Sequence, residues 1–134
     1  MNHARKMRCA LVLTSALLVS GCGGMVQTYE GPKRPAREVA VLKTNVGQLT
    51  FDTVWVDVVD DNKLIRAYSE LEISPGRHSL RVQLTSGFLK ASRIMAFEAR
   101  AGHAYRVKGV IGVKGTLAWI EDDLSGELVA GEAP

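Results

Sequence analysis

The sequence predicts an all-β protein, a single small antiparallel β-sandwich of about seven or eight strands. Three observations carry that prediction. Residues 51–59, FDTVWVDVV, and 78–85, HSLRVQLT, alternate with a period of two, as strands with one buried face do. Turn residues recur every 8–12 positions, the spacing of sandwiches and barrels. No heptad, low-complexity tract or repeat competes with that pattern.

The elements follow in order. Residues 1–8, MNHARKMR, are basic through Arg5, Lys6 and Arg8, and residues 9–19, CALVLTSALLV, are apolar. That run fits a signal-peptide core of roughly 7–15 residues and falls short of the ~20 a membrane-spanning helix needs. It ends in Val19-Ser20-Gly21-Cys22, which resembles the lipobox of bacterial lipoproteins. The resemblance implies cleavage before Cys22, acylation of that cysteine and stable anchoring by two or more chains. Gly23, where Asp would favour inner-membrane retention, implies an outer-membrane address with the domain facing the periplasm. Residues 1–21 are thus expected to be the signal, 22–37 the lipidated cysteine and a flexible tether, 38–130 the domain and 131–134 a tail. A flexible tether of that length spans roughly 20–25 Å.

Within the tether, Tyr29-Glu30-Gly31-Pro32 is either plain linker or a segment that docks on the domain. Val-rich residues 38–43 read as the first strand, and 51–59 as the next, with Val54, Val56 and Val58 on its apolar face. Asp60-Asp61-Asn62-Lys63 turns the chain. Residues 64–68 are expected to return as a strand, although Leu64, Ala67, Tyr68 and Leu71 also match helical spacing. Leu71 and Ile73 lead into the turn Ser74-Pro75-Gly76-Arg77, where Pro presets φ and Gly permits a positive one. His78, Leu80, Val82 and Leu84 then face inward. A loop is expected at 86–92, strands at 93–101 and 104–110 joined as a hairpin at Gly102-His103, and further strands at 117–121 and 127–130.

The stretch from Leu71 to Val82, with Ser-Pro-Gly-Arg-His at its centre, resembles the Pro-Gly-x-His hairpin of PEGA-type domains, small β-sandwich modules of bacterial envelope proteins. The wider set Tyr29-Glu30-Gly31-Pro32, Glu38-Val39-Ala40, Pro75-Gly76-Arg77-His78, Ala101-Gly102-His103-Ala104-Tyr105 and Trp119-Ile120-Glu121-Asp122 resembles a group of small, uncharacterised proteobacterial outer-membrane lipoproteins. The resemblance implies a sandwich at the envelope and carries over no catalytic residue.

Charge and chemistry restrict the function classes. The chain has 17 Lys/Arg and 14 Asp/Glu, but three of the 17 lie in the expected signal, leaving 14 of each. A balanced domain of this kind gives no reason to expect nucleic acid. Cys9 and Cys22 are the only cysteines, so the expected mature domain has none for a disulfide or a thiol nucleophile. His78 and His103 lack zinc-ligand spacing and are expected to hold turns. Neither acidic run, at residues 57–62 or at 121–123, fits a calcium loop. No metal, no cofactor and no catalytic residue is expected.

Trp55, Trp119, Tyr68 and Tyr105 are either core or a ligand platform. Tyr29, Arg81, Arg106 and Lys108 are the candidate contacts for an envelope protein or polymer, the cations forming a basic sheet face together with Arg77, Arg93 and Arg100. The expected function is therefore a non-catalytic binding or assembly module held near the membrane. The alternatives are a cell-wall enzyme or enzyme inhibitor, and a structural or stress-responsive lipoprotein without a discrete ligand.

Overall fold

The computed structural model describes residues 24–134. The expected signal segment and Cys22 lie outside them. The described chain is all-β, with ten strands, a short 3-10 turn at Ala36–Glu38 and no α-helix among the described residues. Six strands form one sheet, in the order β1 (Met25–Gln27), β5 (Glu70–Ile73), β2 (Ala40–Lys43), β8 (Ala104–Gly112), β9 (Gly115–Asp122) and β10 (Leu128–Gly131). Four form the other: β4 (Asn62–Lys63), β3 (Asp52–Val59), β6 (Gly76–Ser86) and β7 (Leu89–Ala99).

The larger sheet is mixed rather than antiparallel, because β1–β5 and β2–β8 run parallel. Parallel neighbours need a crossover between them. Here the chain leaves β2, builds β5 and the whole of the smaller sheet, and returns as β8. The inner faces of both sheets share one core, with Leu42, Leu71, Ile73, Tyr105 and Ile120 from one and Val54, Val56, Leu80, Val82, Leu84 and Phe97 from the other. Fully burying each large aliphatic side chain contributes about 1.5–3 kcal/mol. Phe97 meets Tyr105 edge-on across the layers, with centroids 4.9 Å apart.

Several expectations are corrected. In β3 the apolar face is Val54, Val56 and Val59, not Val58, because a bulge lies between Val56 and Val58 and flips the alternation. The next turn is a two-residue one: Asp60 and Asp61 both take positive φ (49° and 67°), and Val59 pairs with Asn62. That is the type I′ geometry suited to a twisted hairpin.

Residues 64–68 are then neither strand nor helix. They carry the chain from one sheet to the other, held where the Leu64 amide donates to the Asp57 carbonyl and Thr44 Oγ1 donates to the Tyr68 carbonyl. The expected loop at 86–92 is mostly strand, reduced to the turn Gly87-Phe88 between paired Ser86 and Leu89.

The turns at Pro75-Gly76 and Gly102-His103 do not close hairpins. Each passes the chain between sheets, since β5 and β8 lie in the larger one and β6 and β7 in the smaller. Gly102 marks one crossing by donating its amide to the Val39 carbonyl at 2.8 Å. The long hairpins are β6–β7 and β8–β9.

Candidate binding cleft

The four expected partner contacts are not brought together. Arg81 stands on the outer face of the smaller sheet, and Arg106 and Lys108 on that of the larger. Each is paired with an acid. The bulge residue Asp57 accepts from Arg81 Nε at 2.9 Å and Nη2 at 2.6 Å, and from Gln83 at 3.0 Å. Those contacts, the Arg81 bond first, hold its carboxyl below the usual range against the opposing effect of burial. Arg106 Nε and Lys43 Nζ share the two oxygens of Asp123 at 3.0 and 2.9 Å. Lys108 meets Glu121, whose other oxygen accepts the Trp119 indole N–H at 2.8 Å. The three cations expected to contact a partner are therefore divided between two sheets, each paired with an acid.

Tyr29 does dock, but on its own domain. Its hydroxyl donates to Glu72 at 2.8 Å, and Lys33 pairs with the other oxygen of the same carboxylate. Gln27 donates to the carbonyls of Tyr29 and Gly31, the Arg34 amide donates to the Tyr29 hydroxyl, and the Arg34 guanidinium lies over the Tyr29 ring. Residues 28–34 thus form a strap that buries Glu72, and β1 continues it into the sheet edge. Lys33, then Tyr29, hold the Glu72 carboxyl below its ordinary value.

Both histidines are placed by carboxylates. His78 is buried where β6 begins. Its Nδ1 lies 2.5 Å from Asp60 Oδ2 and its Nε2 lies 2.7 Å from the Ser74 carbonyl, while Asp60 Oδ1 accepts the Ser79 amide. Burial pushes the Asp60 carboxyl up, but His78 and the Ser79 amide together bring it below the usual range. His78 therefore locks the two turns at this end, as a structural histidine would.

His103 has a different setting. It lines an open cleft of about 920 Å³ between the end of β7, the start of β8 and the β9–β10 loop. Its Nδ1 is 3.3 Å from Asp122 Oδ2, and its ring stacks on Tyr105 at 6.1 Å. Asp122 is fixed from behind by the Ser125 and Leu124 amides, which with His103 hold its carboxyl low. Arg100 and Glu98 complete the polar wall, and Leu124, Leu128 and Val129 form an exposed apolar lip. Polar groups converging beside an apolar lip are what a small binding site requires.

The sequence places His103 in a turn, Arg100 on a basic sheet face and Asp122 in an acidic run, but does not join them or show the lip. The segments 101–105 and 119–122 converge here. The four aromatic residues do not form a platform. Tyr68 and Tyr105 are in the core, and Trp119 lies outside it against Glu121. Among the described residues, no group of three or more His, Cys, Asp or Glu is arranged to hold a metal ion. Comparison with protein-family models, curated proteins and solved structures found no match. What stands is a small all-β protein of two sheets, with an open, mixed-polarity cleft beside His103.

Proposed function

We propose that the chain is a lipid-anchored envelope protein that binds a partner without catalysis and holds it close to the membrane. The observation that carries this is Val19-Ser20-Gly21-Cys22, in register behind a basic start and a short apolar run. Its address is the outer membrane and its domain faces the periplasm. The finer architecture is a β-sandwich, a reading supported by the core that the two sheets share; Pro75-Gly76-Arg77-His78 keeps the PEGA-type residue pattern but crosses between sheets instead of closing a hairpin. A partner protein or envelope polymer occupies the cleft beside His103, Arg100 and Asp122. Its capture is recruitment, because an anchor confines the domain and raises the effective concentration of its ligand.

The short reach of the anchor supports this. Gly24 donates to Ser69 Oγ at 2.9 Å and β1 begins at the next residue, three positions after Cys22. His78 is buried with its two nitrogens on Asp60 and the Ser74 carbonyl, a setting that supports a structural role for it.

The test combines labelled palmitate with crosslinking in living cells, using Cys22→Ala as the control. Label on the wild type alone, with one dominant crosslinked partner weakened in the control, is the expected result. Absence of label overturns the anchor, and absence of any specific partner overturns recruitment.

A further inference from the structure

Large apolar side chains stand in solvent on three separate loops. Leu49 and Phe51 precede β3, Phe88 and Leu89 lie at the β6–β7 turn, and Val113 lies at the β8–β9 turn. Leu49, Phe88 and Val113 are 106%, 103% and 107% exposed, as open as in an extended chain. None is required by turn chemistry, which favours Gly, Asn, Asp and Ser. Single exposed apolar residues are ordinary, and Ile65, Ile94 and Leu124 are others here. What distinguishes this group is that the topology gathers it at one end.

Two contacts across the layers fix that geometry. Tyr105, early in β8, packs on Phe97, which is opposite His78 early in β6. Gly109, further along β8, packs so closely on Leu84 that an added Cβ would lie 2.4 Å from its Cδ2. β6 and β8 therefore climb in the same direction, and their turns emerge together. Phe51 joins them, because Asp52 pairs with Ser86 and its ring touches the Gly87 position.

The pairing order also orients β1. β1 is parallel to β5, β5 antiparallel to β2, and β2 parallel to β8. β1 thus runs against β8, and its first residue is its end nearer the tips. Lys90 and Lys114 flank the tips, placing cations beside the apolar groups. Phenylalanine and aliphatic side chains bordered by lysine suit the boundary between lipid headgroups and acyl chains.

We propose that this end is a membrane-docking surface, with Leu49, Phe51, Phe88, Leu89 and Val113 seated in the bilayer that anchors Cys22. The proposal rests on reading Cys22 as the lipid attachment. It makes the protein an oriented module rather than one tumbling on a tether. The cleft, at the other end of β8, is then turned away from the lipid.

The test uses the acylated full-length mature protein in vesicles of phosphatidylethanolamine and phosphatidylglycerol. Cys22 is consumed by its lipid, so Phe88→Cys and Leu124→Cys each offer a single thiol for an environment-sensitive fluorophore. The expected result is blue-shifted, brightened emission at position 88 on adding vesicles and no shift at position 124. Flotation of the same samples separates the failures. Protein that does not float with the vesicles overturns the anchor and this inference with it. Protein that floats with position 88 as solvated as position 124 overturns the docking alone.

Discussion

His78 and Gly109 show how much of this fold depends on single positions. The His78 imidazole is buried against the Asp60 carboxylate and the Ser74 carbonyl, so it ties the type I′ turn of one hairpin to a crossing between sheets. His78→Phe fills the space but leaves both oxygens without their partner. The Asp60 carboxylate is 45% exposed and turns to water, so the loss is that of a part-buried hydrogen bond, about 0.5–1.5 kcal/mol, and a fall of that size in stability is expected by urea or thermal unfolding. Asp60→Asn is expected to cost less, since Asn tolerates positive φ and keeps an acceptor for the Ser79 amide. Gly109 has a different role, because its missing side chain lets Leu84 lie against β8. Gly109→Ala overpacks that contact, at an expected cost of about 1–3 kcal/mol. A double-mutant cycle checks the cause: Gly109→Ala is less damaging when Leu84 is already alanine. Equal costs in both backgrounds would place the strain on the Leu117 carbonyl, 3.1 Å from the same added Cβ.

At the scale of elements, the strap over Glu72 has a pH dependence whose direction is fixed. Lys33 and Tyr29 hold the Glu72 carboxyl below its ordinary value. The strap's contribution is therefore complete above the ordinary glutamate range and is lost as pH falls through the lowered value. Lys33 is largely exposed, so water screens its share of that contribution. Hydrogen exchange at the Arg34 amide, corrected for its intrinsic rate, should show protection at neutral pH that disappears in acid. Glu72→Gln should remove that pH step.

The long strands were legible because two-residue alternation states which face is buried, and the core residues of β6 were read correctly. The bulge at Asp57 was not legible, since FDTVWVDVV alternates without interruption until pairing with Arg81 and Leu80 inserts an extra residue. Nor does Pro75-Gly76 reveal whether the next strand pairs with the last or crosses to another sheet. The Gly102–Val39 bond that marks one crossing spans most of the domain in sequence. The cleft was hidden for the same reason, because Arg100, His103 and Asp122 meet only after a crossing between sheets and a long hairpin, and have no diagnostic spacing.

The whole molecule separates two surfaces along one strand. β8 begins in the cleft at Ala104 and ends at the apolar tips at Gly112, a rise of about 26 Å at 3.3 Å per residue. Lys43, Arg106 and Lys108 are paired with Glu121 and Asp123 on the outer face of this sheet, in surface ion pairs that are worth little individually. Partner capture should therefore respond to substitutions in the cleft and be nearly indifferent to those in the ladder. Arg100→Glu reverses the cleft's arginine, which makes no ion pair among the described residues, and Leu124→Asp removes apolar area from its lip. Neither touches the core. Each is expected to weaken the crosslinked partner about tenfold, which corresponds to about 1.4 kcal/mol, while leaving the membrane-bound fraction and unfolding midpoint unchanged. Lys108→Gln should alter none of the three. Full capture by both cleft variants would place the partner elsewhere on the surface. Loss of membrane association in either would mean that the cleft end, rather than the Phe88 end, faces the lipid.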